Sequence, residues 1–160
     1  MEYIRALGDD FTDQGCFLCR YWNAPDADNA NRVIWRTRST FVTMNRFPYT
    51  NGHLLVAHAA HQGELSDLND DELGALTRTI RDAVEVLRTT IQPQGFNVGY
   101  NIGRCAGAGL PGHLHAHIVP RWSGDTNFMA VLADARVVPD SLDALRDELV
   151  KTAQAAGLRR

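Results

Sequence analysis

Three histidines alternate in the segment His113-Leu-His115-Ala-His117-Ile-Val-Pro-Arg-Trp122. In an extended strand, residues two apart share a face. This spacing therefore lines three imidazoles along one side and turns Leu114, Ala116 and Ile118 toward a core. Such a row can bind a metal, act as a pH-sensitive surface, or attack and protonate a substrate, and the spacing alone leaves all three open. The turn just upstream, Gly103-Arg-Cys-Ala-Gly-Ala-Gly-Leu-Pro-Gly112, favours the last. Gly103, Gly107, Gly109 and Gly112 let a backbone come close to a ligand, and exposed N–H groups in such turns attract anions. Beside imidazoles, that points to phosphate chemistry. A second reactive pair is Cys16-Phe-Leu-Cys19, with Cys105 making an odd count of three. In a reducing compartment this reads as a metal or redox pair, or as two buried thiols, and not as half of a disulfide framework.

These residues need a scaffold, and 160 residues with 44% apolar and 22% charged side chains can build one domain with a real core. A formal net charge of −3 gives no electrostatic basis for binding nucleic acid or a membrane. Lys151 is the only lysine. The first residues carry no apolar run of signal-peptide length, and no segment approaches the ~20 apolar residues of a span, so a cytoplasmic location is expected. Val33 to Arg36, Thr40 to Asn45, His53 to Ala57, Phe96 to Asn101 and His113 to Pro120 read as strands, being short and rich in β-branched and aromatic residues. A long helix starts near Asn69, an N-cap with Glu72 three residues on. Leu73, Leu76, Ile80, Ala83, Val84 and Leu87 recur along it, and Pro93 and Gly95 end the region. Pro139 and Ser141 open a last helix, over 139–157, with Leu142, Leu145, Leu149 and a stop at Gly157. Strands, then a helix, then strands again predict an α+β fold: an antiparallel sheet of about five strands with the long and C-terminal helices packed on it. The chain 1–160 reads as a single domain with its core in 16–140.

The histidine segment resembles the motif of the histidine-triad superfamily, and the likeness extends beyond it. Asn45-Arg-Phe-Pro-Tyr-Thr-Asn-Gly-His53-Leu-Leu-Val resembles the family's ribose-binding loop and the strand after it. His61-Gln-Gly-Glu-Leu-Ser-Asp-Leu68 and Gly95-Phe-Asn-Val-Gly-Tyr-Asn101-Ile-Gly103 resemble further family segments. The tail Pro120-Arg-Trp-Ser-Gly-Asp125-Thr-Asn-Phe128 is similar to the dinucleoside-polyphosphate branch.

The resemblance implies that His115 attacks an α-phosphorus, that His117 contacts the phosphate oxygens, and that His53 supports both. It also implies that Asn45 holds ribose while Asn101, Gly103 and Gly107 hold phosphate. It further implies Zn²⁺ on Cys16, Cys19, His61 and His113, as in zinc-containing triad proteins and hexose-phosphate uridylyltransferases. His113 then serves the metal and the triad strand together. A Mg²⁺ accompanying the nucleotide substrate and a homodimer are part of the same expectation. Relatives often carry Gln-Ser or Gln-Thr where this chain has Gly109-Leu110, and Arg104 is a candidate to supply the missing phosphate contact. His58 replaces a usual proline and is expected at the surface. Asp125 is expected to cap a turn, and Trp22, Trp35 and Trp122 to lie in the core or an interface. The rival readings are a nucleoside phosphoramidase and a nucleotide- or zinc-binding protein with little turnover.

Overall fold

The computed structural model describes residues 15–125 and 141–158. Five strands make one antiparallel sheet: β1 (Val33–Arg36), β2 (Thr40–Met44), β3 (Leu54–His58), β4 (Gly95–Tyr100) and β5 (His115–Arg121), in the order β1-β2-β3-β5-β4. Helix α1 (Phe17–Asn23) precedes the sheet, α2 (Asp70–Ile91) links β3 to β4, and α3 (Leu142–Ala155) follows β5. This is the α+β arrangement expected from the order of elements.

Helix α2 starts at a reciprocal cap. The Glu72 N–H donates to Asn69 Oδ1 at 3.0 Å, and the Asn69 N–H donates to the Glu72 carboxylate at 2.9 Å. The helix stops at Gln92, whose φ of 47° is left-handed, just before Pro93. Its buried stripe carries Leu76, Ala83, Val86 and Leu87, flanked by Leu73, Ile80, Val84 and Ile91. One polar residue sits on that stripe, Thr79, because its hydroxyl pairs at 2.7 Å with that of Thr40 on β2. Helix α3 adds Leu145, Leu149 and Ala153 to the same core, and Gly157 follows its last turn. Against these helices the sheet sets Val42, Met44, Leu54, Val56, Leu114, Ala116 and Ile118, with Trp35 at the β1 end. The opposite face of the sheet holds a smaller core in which α1 packs Leu18 on Phe41, Ala57 and Leu110.

The histidine strand begins two residues later than expected, at His115. His113 lies in the bend before it. Its N–H donates to Leu110 O at 3.3 Å, and the next N–H, of Leu114, donates to Gln62 O at 2.6 Å. Those backbone groups are spent outside the sheet ladder. His58 is also not a surface residue. It ends β3 with only 4% of its surface exposed, because Ala60 N–H binds its Nδ1 at 3.1 Å and the N-terminus of α2 covers it, with Glu72 Oε1 at 3.6 Å from Nε2. Asp125 does cap a turn, accepting from the Trp122 N–H and holding Arg121. The expected helix opening at Pro139, the tail residues Thr126 to Phe128 and the chain before residue 15 lie outside the described residues.

Candidate functional site

His115 and His117 stand on the sheet face away from α2, opposite Ala57 and Leu55 of β3. On the other side β4 sets Gly99 opposite His117, and nothing lies within 4 Å of where a Cβ at Gly99 would be. The missing side chain leaves open space beside the imidazole. The two rings are 5.1 Å apart.

Hydrogen bonds assign each ring's proton. His115 Nδ1 is 2.7 Å from the carbonyl of His113, an acceptor only, so Nδ1 carries the hydrogen and Nε2 keeps a lone pair. The Tyr49 N–H donates to His53 Nδ1 at 3.1 Å, which puts the His53 hydrogen on Nε2. That Nε2–H faces His117 Nδ1 at 2.9 Å, so His117 accepts there and holds its own hydrogen on Nε2. The site thus offers one nucleophilic nitrogen and one neighbouring N–H donor. Burial favours the neutral rings. It pushes His115 below the ordinary histidine value of 6.5, and, helped by the charge of His115, pushes His117 down to about 4.

Asn45 sits one residue past β2, and its N–H donates to His53 O at 2.9 Å. Its side chain is buried against the same histidine: Nδ2 approaches His53 Nδ1 to 3.3 Å, and Oδ1 accepts from the Phe47 N–H at 3.0 Å. The loop returns through Gly52, with φ +76°. That left-handed backbone favours glycine, and without a Cβ the loop lies against Ile91 and Leu87 of α2 and delivers His53 to the site. On the far side, the pair Tyr100↔Ala116 brings the next residue, Asn101, level with His115. The glycine turn follows as a short 3-10 segment, Arg104–Ala106, between left-handed Gly103 and Gly107. A Cβ at Gly107 would lie 3.9 Å from Asn101 Nδ2, so turn and asparagine adjoin. Arg104 is on the exposed side of that turn.

The expected metal ligands also come together. Cys16 Sγ, Cys19 Sγ, His61 and His113 each present a donor atom within 4.8 Å of the others. His113 Nδ1 is 3.2 Å from Cys16 Sγ and 3.3 Å from Cys19 Sγ, and His61 Nδ1 is 3.3 Å from Cys19 Sγ. A tetrahedral zinc with ordinary bond lengths has S···N edges of about 3.6 Å, so the set is compatible with a zinc site. His113 is fully buried, and its Nε2–H donates to His58 O at 2.8 Å, leaving the Nδ1 lone pair toward the sulfurs. Burial lowers its pKa to about 4, which keeps that lone pair available. Two devices hold the ligands in place. Gly63 lets the His61 segment reach the His113 bend, since a Cβ there would meet Pro111 O at 2.6 Å. Arg36, buried on β1, donates to Tyr21 O and Trp22 O at the end of α1 and pairs with Asp28, which ties the cysteine helix to the sheet.

Arg36, Tyr49 and His58 were not legible as contributors. Tyr49 gave no signal beyond its place in the loop, yet its ring lies 11° from parallel with that of His117 at 6.1 Å.

Comparison with known proteins agrees with this geometry. The HIT domain family profile matches residues 26–124. A protein of Mycobacterium tuberculosis named AP-4-A phosphorylase is 39% identical over 116 residues, 72% of this chain and 60% of that one. The chain thus spans about three-fifths of that relative's length. A bis(5'-nucleosyl)-tetraphosphatase of Schizosaccharomyces pombe is 32% identical over 95 residues, 59% of this chain and 52% of the yeast protein. The fold is shared with a zinc-bound histidine triad family protein of Mycobacterium smegmatis, with a TM-score of 0.72, 23% identity, and 91% and 99% of the two chains covered.

Proposed function

The chain belongs to the HIT domain family, and from that premise we propose that it cleaves dinucleoside polyphosphates at the α-phosphate through a nucleotidyl-histidine intermediate. The observation that carries the reading is the proton assignment: His115 Nε2 with a free lone pair beside His117 Nε2–H. In the first step, His115 Nε2 bonds to the α-phosphorus as the bridging P–O bond breaks and the remaining nucleotide polyphosphate leaves. His117 donates its Nε2–H to the phosphate oxygens that gain charge. In the second step, water or inorganic phosphate attacks the same phosphorus and the P–N bond breaks. The product is a nucleoside monophosphate or diphosphate respectively, and His115 is restored.

The other roles belong to the same proposal. His53 holds His117, Asn45 binds the ribose hydroxyls, and Asn101 with the backbone of Gly103 and Gly107 receives phosphate. Arg104 adds charge at that turn, and Mg²⁺ accompanies the polyphosphate. Zn²⁺ on Cys16, Cys19, His61 and His113 would supply a structural cross-link between α1, the segment after β3 and the start of the triad strand. We place the protein in the cytoplasm, a reducing compartment in which the Cys16 and Cys19 sulfurs stay available to the metal. Among the described residues no helix is long and apolar enough to cross a membrane. A homodimer would use the half-exposed edge strand β4.

The test is incubation with diadenosine tetraphosphate, with and without phosphate, followed by chromatography. AMP with ATP means hydrolysis, and ADP with ATP means phosphorolysis. His115→Ala should lose turnover by several orders of magnitude yet still bind AMP. A His115→Ala protein keeping more than a few per cent of activity would rule out the covalent route.

A further inference from the structure

The two imidazoles of the metal cluster, His61 and His113, stand on different segments, and one residue outside the cluster touches both segments. That residue is His58, the last of β3, with its ring buried. A buried imidazole is costly unless its nitrogens are used. The His58 carbonyl accepts the His113 Nε2–H at 2.8 Å, which turns the other nitrogen of that ring toward the sulfurs. The His58 ring acts on the second ligand. Its Nδ1 accepts the Ala60 N–H at 3.1 Å, so the chain folds back directly after β3. The Ala60 carbonyl then accepts the Gln62 N–H at 3.0 Å, closing a three-residue turn with His61 at its centre. Gln62 O in turn accepts the Leu114 N–H at 2.6 Å, next to His113. The ring is itself anchored from behind. With Nδ1 accepting, the neutral ring carries its hydrogen on Nε2, and that side faces Glu72 Oε1 at 3.6 Å. The other Glu72 oxygen caps α2 through the Asn69 N–H. His58 thus joins the first turn of α2 to both imidazoles of the cluster. The proline usual at this position would keep the carbonyl but offer Ala60 no acceptor.

Resting on the zinc ligand set proposed above, and not on the cleavage chemistry, we propose that the His58 ring is a positioning residue for Zn²⁺. By holding the Ala60 N–H it presents His61 to the metal that Cys16, Cys19 and His113 share. His58→Leu and His58→Phe remove the acceptor with two different volumes, so either one that folds can be read. His58→Asn keeps an acceptor, because an asparagine Oδ1 takes the N–H two residues on, as in Asx turns. Competition with a chromogenic chelator measures zinc affinity, and the visible spectrum of the Co²⁺-substituted protein reports the ligands around the metal. Loss of a partner that orients metal ligands typically weakens binding by about 10- to 100-fold. The leucine and phenylalanine variants should show that loss together with an altered Co²⁺ spectrum, and His58→Asn should restore both. A ring that served only the fold would lower the Tm of the metal-free variants and leave zinc affinity and the Co²⁺ spectrum as in the wild type. That result would overturn the proposal, and so would an equal loss of affinity in His58→Asn. Wild-type protein that binds no zinc would overturn the ligand set and the role of His58 with it. Zinc-loaded protein that cleaves no dinucleoside polyphosphate would overturn only the function proposed above.

Discussion

Replacing His53 by phenylalanine keeps a ring of similar size in a fully buried position and removes the hydrogen bonds that its ring makes with the Tyr49 N–H and with His117. The Tyr49 N–H belongs to a half-exposed residue and can turn to water, so its loss is small. His117 Nδ1, partly buried, loses its donor, which costs up to roughly 1–3 kcal/mol, the range for a buried group left unpaired. The ring can recover part of that by moving its proton from Nε2 to Nδ1, but it then turns a lone pair toward the phosphate. Either way the competent arrangement is disfavoured by that amount, which corresponds to about 5- to 150-fold. His53→Phe should therefore lower kcat/KM for diadenosine tetraphosphate by about 10- to 100-fold, far less than His115→Ala. His53→Gln, which can place an amide N–H near the same nitrogen, should recover part of the loss. Steady-state kinetics measures the rate, and ¹⁵N spectra of the histidine side chains report which nitrogen of His117 is protonated. A loss under twofold with the His117 tautomer unchanged would refute the proton assignment. A loss beyond about 10⁴-fold would mean that His53 acts on the substrate itself.

Three further outcomes are expected. Purified protein should carry close to one zinc per chain by elemental analysis, and Cys16→Ser, Cys19→Ser and His113→Ala should each lose it and lower Tm; metal-free wild-type protein prepared without chelator would contradict the ligand set. The acid limb of kcat/KM, which reports the free enzyme, should lie below pH 6.5, since His115 and His117 are both held neutral below the ordinary value. Between pH 6.5 and about 4 the unfolded chain binds more protons at His117 than the folded one, so stability should fall with pH through that window. A titration of Tm that is flat there, or an acid limb at or above 6.5, would show that burial does not set these protonation states. Asn45→Ala should cost a ribonucleotide substrate about tenfold and a 2',3'-dideoxy analogue almost nothing, by kcat/KM on both; equal losses would show that Asn45 only ties its loop through Phe47.

Side-chain periodicity made much of the fold legible. The stripe from Leu73 to Leu87, the Asn69–Glu72 cap and the alternation around His115 each follow from one local rule, and the structure keeps them. The cluster of Cys16, Cys19, His61 and His113 was legible because the family resemblance paired segments that lie far apart in the chain. What local rules could not show were contacts made by backbone groups. The start of β5 shifted because Leu110 O and Gln62 O take the N–H groups of His113 and Leu114, and no residue type announces that. His58 looked like a surface residue because nothing nearby in sequence reveals that α2 folds back over the end of β3. Arg36 looked like one arginine among many, and only the placement of α1 makes it a cap for two carbonyls.

His113 serves two places with two different parts of itself. Its ring is specified by the codon, whereas its carbonyl would be there whatever residue stood at that position. A substitution at 113 therefore removes a proposed metal ligand but still leaves an acceptor facing His115, so a lineage could lose the proposed zinc site one residue at a time while the proposed nucleophile stayed correctly protonated. The opposite accident is more damaging. A slip in the path of the bend, with every letter of the motif intact, would take the acceptor away. An alignment that counts the first histidine as a catalytic letter credits a side chain with work that the shape of the chain performs.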